Sequence, residues 1–467
     1  MEIADHLVQW LRNAVWGLPL LLLLLGTGVY LTFILKGMQF RYLGYAIKQV
    51  FAKQSSNSKG DISHFEALMT SLAGAIGTGT IVGVATAVSI GGSGALFWMW
   101  IMAFLGMATK YAESLLAVKF RKMDEKGEMI GGPMQYIENG LGWKWMAIVF
   151  AAFGMIAAIG TGNLVQVNSI AAALNQTWQA NAWYTGIFLA VLTGIVIMGG
   201  VRSIGHVAGV LVPIMAIFYI VGGLIIIGLH YEKIPSVFFQ IMQSAFYGQA
   251  AFGGFAGASM MMGMQRGVAG SIFSNEAGLG ISSMAAAAAK TDSPGRQAMI
   301  TMTGALLSTV IVCSITGFVL AVTGVVGQTT ESGELITGVA LAMRAFDTLP
   351  GGTYIVSIGL VLFAFSTVIA WAYYGEKCCE YLFGVRSIPI YRLIYSLIVI
   401  PGAALKMQIV WNFADMMNGL MAIPNLIALL ALSGLIVKET QSFLKQVESE
   451  KQKPSSAVPH HKMDISS

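Results

Sequence analysis

Residues 71–94 read SLAGAIGTGTIVGVATAVSIGGSG. The stretch is apolar enough to cross a bilayer, yet glycines at 74, 77, 79 and 83 interrupt it and threonines stand at 78 and 80. Each glycine costs a helix about 1 kcal/mol relative to alanine, so this cluster favours local unwinding. Ala75, Gly79 and Gly83 recur at the four-residue spacing that lets membrane helices pack closely. Such packing accounts for 75, 79 and 83, but not for Gly74, Gly77 or the hydroxyls between them. Unwound backbone inside a membrane is tolerated only where protein or a water-filled cavity satisfies it. Its freed carbonyls can hold a cation, and the amides that open the second half-helix can hold a carboxylate. The stretch therefore predicts a broken helix with both halves of a site for a zwitterion plus a cation. Its glycines fall as G-x-G-x-x-x-G with no hydrophilic βαβ surroundings, which excludes a dinucleotide fingerprint.

The rest of the chain fits a membrane setting. Of 467 residues, 56% are hydrophobic and only 10% charged, against about 25% charged in soluble domains. At about 20 apolar residues per crossing, the runs give about eleven spans. They are expected at 14–36, 67–90, 94–118, 145–175, 181–200, 206–229, 239–265, 296–325, 352–382, 388–405 and 407–437. The run 145–175 exceeds one crossing, and tilt would absorb the excess. The first run is too long for a signal-peptide core and reads as a retained helix. Lysine and arginine concentrate in alternate loops, such as Lys36 to Lys59, Lys119 to Lys144 and Lys377 to Arg392. By the positive-inside rule this places the N-terminus outside and the C-terminus in the cytoplasm. It also explains the net charge of +5 without any nucleic-acid partner. Cys313, Cys378 and Cys379 form neither a disulfide framework nor a zinc spacing. No His, Asp or Cys cluster at depth suggests a membrane enzyme.

A second interrupted stretch, GQAAFGGFAGASM at 248–260, carries glycines at 248, 253, 254 and 257. Five spans separate the starts of the two segments. Paired broken segments in corresponding positions point to a transporter built from inverted repeats. The expected fold is all-α and polytopic. Residues 1–66 hold an extra N-terminal helix and a basic loop, 67–230 and 239–437 are two five-helix repeats, and 438–467 are a cytoplasmic tail.

Several long segments resemble the alanine or glycine:cation symporter family. They include GTGTIVGVATAVSIGG, FWMWIMAFLGMATKYAESLLAVKFR, GGPMQYIENGLG, GNLVQVNSIA, FSNEAGLG, AAAAAKTDSPGRQ and FAFSTVIAWAYYGEKCCEYLFG. The resemblance implies a leucine-transporter-like 5+5 inverted-repeat core. It also implies sodium-coupled symport of a small neutral amino acid into a prokaryotic cell across its inner membrane, with sodium as coupling ion and no cofactor. A proton-coupled amino-acid symporter, or a glutamine-preferring sodium symporter, on the same fold is the alternative. Thr80 stands where the family pattern has asparagine, and Ser93 where it has proline.

Candidate residues follow from both lines. Ala75, Thr78 and Gly79 lie in the first break, where amides or the hydroxyl would meet the substrate carboxylate. Phe255 and Ser259 flank the second break and suit a small side chain and an α-amino group. By resemblance Gln166 faces the substrate, with Asn163 and Asn168 as further candidates. Sodium prefers hard oxygen ligands. The hydroxyls of Ser366 and Thr367, with the carbonyls of Ala73, Ile76 and Phe363, would form its site in this fold. Trp371, one turn beyond Thr367, would wall the substrate pocket. Lys110 and Glu113 would pair or snorkel near one end of the third span. Arg266 and Glu276 are candidate parts of a cytoplasmic gate, with Ser274 as N-cap of the helix that follows. Asp415, in the last span, is a candidate buried carboxylate and so a functional hypothesis, with no partner evident from sequence.

Overall fold

The computed structural model describes residues 10–52, 59–247 and 256–452. In chain order the principal helices are α1 (Leu18–Ile34), α2 (His64–Ala75), α3 (Val82–Gly91), α4 (Gly94–Lys119), α5 (Lys144–Trp178), α6 (Ala182–Met198) and α7 (Gly200–Leu229). They continue with α8 (Ile234–Tyr247), α9 (Ala256–Asn275), α10 (Pro294–Thr323), α11 (Gly352–Phe383), α12 (Ile388–Gly402), α13 (Met407–Ala431) and α14 (Ser433–Gln452). Among the described residues seven helices are long and apolar enough to cross a membrane, or eight if α2 and α3 form one bent span. The shorter α1 and α6 are also apolar.

Burial sorts the helices. Within their most apolar windows α4 is 83% buried and α11 is 72%, while α7 is only 33%. The first two are therefore central posts. The third turns most of its surface outward, showing Ile214, Ile217, Val221 and Ile225. An apolar outer face around a buried polar interior is the pattern a lipid solvent imposes. Buried Ser71, Thr78, Gln166, Glu276, Ser366 and Lys377 lie on the central elements.

Local chemistry sets the ends of the elements that matter. A capping box opens α2: the Ser63 hydroxyl accepts from the Glu66 amide at 3.1 Å, and the Glu66 carboxylate accepts from the Ser63 amide at 2.8 Å. Pro294 starts α10, where a missing N–H costs nothing. Both α5 and α10 carry π-helical segments, Ala158–Leu164 and Leu306–Cys313. The 35-residue length of α5 thus includes a widened turn, a feature beyond the tilt expected for 145–175.

Other expectations need correction. The helix expected to stop at 265 runs to Asn275 as α9. Of the expected second break at 248–260, residues 248–255, Phe255 among them, lie outside the described residues, as does the side chain of Ser259; from Ala256, and so at Gly257, the chain is already the helix α9. The last run divides at Leu432 into α13 and α14, so 437 is not an end. A small antiparallel hairpin pairs Lys122–Met123 with Met129–Ile130 in a chain expected to be all helix. Asp415 has a partner that sequence spacing hid: Arg12, 2.9 Å away and 403 residues earlier. Trp16 donates its indole N–H to the Asp415 carbonyl at 2.7 Å, and together these tie the N-terminal segment to α13.

Candidate functional site

The site begins at the break. After Ala75 the helix stops: Ile76 and Gly77 leave helical geometry, Thr78–Thr80 make one 3-10 turn, and α3 departs at 61° to α2. Gly77 is obligatory here by contact. A Cβ on it would lie 2.4 Å from the Thr367 hydroxyl and 2.9 Å from Gln166 Oε1. One on Gly74 would lie 2.9 Å from a Glu276 oxygen, and one on Gly79 would lie 2.7 Å from the Phe273 ring. A Cβ on Gly83 would meet nothing within 4 Å. The four-residue stripe of small residues is therefore not one continuous packing seam. The glycines of the break admit polar groups of α5, α11 and the end of α9.

The π segment of α5 explains how Gln166 is aimed. Widening the turn frees the Thr161 carbonyl, which accepts from Gln166 Nε2 at 2.9 Å. The other end of that amide, Oε1, accepts from the Thr78 backbone N–H at 3.0 Å. One break in a helix thus orients the side chain that satisfies the other. The Thr161 hydroxyl is held in turn by Asn418 of α13 at 3.0 Å. The amide of Thr78 is engaged by Gln166, while its buried hydroxyl meets no hydrogen-bond partner among the described residues. Of the groups expected to meet a carboxylate at Thr78, the hydroxyl is the one left free. Thr80 instead turns its hydroxyl back to the Gly77 carbonyl at 2.8 Å, and its own carbonyl accepts from Thr316 at 2.8 Å. Thr316 also meets Tyr219 at 2.9 Å.

A cluster of hard oxygens lies beside the break. Thr367 Oγ1 donates to the carbonyls of Ala73 at 2.8 Å and Phe363 at 3.0 Å. Ser366 Oγ donates to Phe363 at 2.8 Å and reaches Ala73 at 3.4 Å. Two carbonyls and two hydroxyls, all buried, can present lone pairs inward once the hydroxyl protons turn away. That donor set suits a hard monovalent cation. Nothing ties the Ile76 carbonyl, the fifth expected oxygen, to this cluster. Trp371 donates its indole N–H to the Gly74 carbonyl at 3.3 Å and packs on Gly162 so closely that a Cβ there would lie 2.1 Å away. Its burial places it in the interior, away from an interfacial belt.

Phe273 and Trp411 stack with centroids 4.9 Å apart and form a small apolar cluster with Leu164, Val165, Val410 and Ala414. Sequence reasoning passed over this wall, since an aromatic on an apolar helix carries no signal of its own. Asn163 and Asn168 have other tasks. They donate to carbonyls of Tyr395 at 2.7 Å and Leu405 at 2.7 Å, lashing α5 to α12 and the loop after it.

The charges near the break do not form the pairs expected. Lys110 is buried and does not snorkel. Its ammonium donates to the Asn275 carbonyl at 2.7 Å and touches Ser71 Oγ at 3.5 Å. Glu113 takes the amides of Gly278 and Gly280 at 2.9 and 3.1 Å, plus Asn425 at 2.8 Å. Arg266 packs beside Gly91, at the far end of α3, whereas Glu276 lies against Gly74. They sit at different levels and form no ion pair with each other among the described residues. Ser274 caps nothing, because its hydroxyl bonds back to the Ser271 carbonyl within α9. The largest charge cluster was invisible in sequence. Lys377 of α11 is buried between Glu128 of the hairpin at 3.1 Å and Glu380 at 3.0 Å, and Arg392 clasps Glu376 at 2.6 and 2.9 Å. Among the described residues no group of three or more His, Cys, Asp or Glu has the arrangement of a metal site.

Comparisons with known proteins identify the family and the fold. The family described as the sodium:alanine symporter family matches residues 1–457. The "Sodium/alanine symporter AgcS" of Methanococcus maripaludis is 51% identical over 443 residues, covering 94% of this chain and 96% of the relative. The Bacillus subtilis protein described as "Probable sodium/glutamine symporter GlnT" is 34% identical over 451 residues, covering 96% and 93%. Among solved structures, MhsT in complex with L-phenylalanine superposes with a TM-score of 0.61 at 13% identity, covering 82% of this chain and 93% of that one. At that identity the likeness concerns the fold alone.

Proposed function

The chain belongs to the sodium:alanine symporter family, and we propose that it carries alanine or a similarly small neutral amino acid into the cell together with sodium by alternating access. It is a multi-pass membrane transporter and not an enzyme. The observation that carries the mechanism is the junction of the break with α11, where Thr367 and Ser366 meet the carbonyl of Ala73, in the last turn of α2 before the break. Sodium held there by Ala73, Phe363, Ser366 and Thr367, with the Ile76 carbonyl joining as a fifth ligand only on binding, would fix the angle between α2 and α11. That angle sets the distance between Gln166, Thr78 and Trp371, and so assembles the amino-acid site only when the cation is present. Thr78, Ala75, Gly79 and Gln166 would face the substrate carboxylate, Trp371 would wall the side chain, and Phe255 and Ser259 would complete the pocket. The neutral donor set favours sodium over a proton relay.

The same reading places the N-terminus outside, the C-terminus in the cytoplasm, and the repeats at 67–230 and 239–437. One sodium entering down about 100 mV and a roughly tenfold gradient supplies about 3.7 kcal/mol, enough for about 500-fold accumulation of a neutral substrate. The test is uptake of labelled L-alanine into proteoliposomes, with an inward sodium gradient against potassium at equal pH. Competition by unlabelled glycine, D-alanine and glutamine ranks the substrates. Accumulation only with sodium supports the proposal. Uptake driven by a pH gradient and indifferent to sodium would replace it with the proton-coupled alternative.

A further inference from the structure

We propose that Glu276 is a second stopping point for the coupling cation, on the Lys377 side of the Thr367 cluster, which sodium occupies on its way out. The proposal rests on the sodium-coupled reading. It begins with an unsatisfied charge. Glu276 is 1% exposed, and among the described residues only the Trp371 indole N–H and the Ser282 hydroxyl face its oxygens, neither in the geometry of a full hydrogen bond. A buried carboxylate left in that condition costs several kcal/mol unless a cation or proton joins it. The residue is also held deliberately: its φ is +58°, a left-handed conformation that a glutamate rarely adopts.

The surroundings suit a cation. Gly74 has no side chain, and that absence lets a Glu276 oxygen approach its backbone; a Cβ there would lie 2.9 Å from it. Gly74 is next to Ala73, whose carbonyl belongs to the Thr367 cluster. Trp371, Lys110 and Ser282 stand around the carboxylate, and Ser282 Oγ, which faces it, is buried with no other hydrogen-bond partner among the described residues. The charge count is uneven. Glu113 and Glu276 share one neighbouring ammonium, Lys110, while Glu113 accepts three donors on Oε1, its Oε2 meeting none among the described residues. Lys110 spends its own hydrogen bonds on Asn275 and Ser71. With both carboxylates ionised the patch carries one uncompensated negative charge. A monovalent cation balances it, and the nearby ammonium keeps the hold weak. A passage site needs that combination: binding strong enough to enter and weak enough to leave.

Net uptake requires sodium to leave inward on every cycle, whereas exchange of internal for external alanine with equal sodium on both sides does not. Wild-type, E276Q and E276D proteins in proteoliposomes are therefore compared in both modes with labelled L-alanine. E276Q is expected to lower net uptake by about tenfold or more while exchange stays within about twofold, because sodium must leave the cluster without the intermediate charge. E276D withdraws the carboxylate by one methylene and should give an intermediate ratio of net uptake to exchange. If both modes fall together in E276Q, or neither falls, the proposal is overturned. If E276Q does not fold, the decision passes to E276D, and an unchanged ratio overturns the proposal. Wild-type protein indifferent to sodium in both modes would instead refute the symport reading itself.

Discussion

Adding one methyl group at Gly77 tests the junction directly. In Gly77→Ala the new Cβ would stand 2.4 Å from Thr367 Oγ1, 2.9 Å from Gln166 Oε1 and 3.2 Å from Thr367 Cβ. They belong to two buried side chains, Thr367 and Gln166, each already committed to hydrogen bonds at the break. To accept the methyl, the Thr367 hydroxyl must leave the Ala73 and Phe363 carbonyls, losing two hydrogen bonds worth about 0.5–1.5 kcal/mol each. The overpacking adds about 1–3 kcal/mol. At about 1.4 kcal/mol per decade, even the lower total of about 2 kcal/mol predicts a loss of roughly 30-fold in sodium-driven uptake. The control is Gly83→Ala, four residues further from Gly79 on the same segment, where a Cβ meets nothing within 4 Å. It should transport within about twofold of wild type and stabilise α3 by up to about 1 kcal/mol. The assay is the initial rate of labelled alanine uptake in proteoliposomes, with melting of the purified variants alongside. Wild-type uptake in Gly77→Ala, or equal damage from Gly83→Ala, would refute the reasoning.

Thr367→Ala removes one oxygen of the cluster and should raise the sodium concentration for half-maximal uptake about 10- to 100-fold, taking about 1.5–3 kcal/mol for a hydrogen-bonding group facing a charge; Thr367→Ser should recover most of it, and a sodium titration reads both. Gln166→Ala strands the buried Thr78 amide and should weaken alanine binding by about 1–3 kcal/mol, measured as a rise in KM with a smaller change in maximal rate. At the hairpin, burial pushes the Asp61 carboxyl above the ordinary carboxylate range despite its bond from the Met129 amide. Its contribution to stability is therefore present at acid pH and fades as pH rises through the raised value. Asp61→Asn keeps an acceptor for that amide, so it should melt at or above wild type at pH 8 and lose this advantage in acid.

Much of the fold was legible because membrane helices announce themselves by length and hydropathy, and because the cost of clustered glycines at 74, 77 and 79 is local. The hydroxyls of Ser366 and Thr367 stood out as polar pairs in an apolar run, and the structure puts them against Ala73. What spacing cannot give is which helices are neighbours, or how deep a residue lies. Arg266 and Glu276 look adjacent in sequence to one gate, yet ten residues of α9 and its exit carry them to opposite levels. Arg12 and Asp415 meet only because the two ends of the chain pack together. Lys377 read as a loop charge, although three acidic groups from α11 and the hairpin enclose it. The π segment of α5 left no mark on hydropathy, but its freed Thr161 carbonyl is what aims Gln166.

Coupling itself is the central claim, and equilibrium binding reads it without transport. If sodium assembles the amino-acid site, each ligand must raise the affinity of the other by the same factor. Binding of L-alanine to the purified protein would be measured by calorimetry in sodium and again in potassium at equal ionic strength and pH. The account predicts alanine affinity at least about tenfold higher in sodium, a coupling of about 1.4 kcal/mol, and loss of that difference in Thr367→Ala. Equal affinity in the two salts, with the protein folded in both, would contradict it.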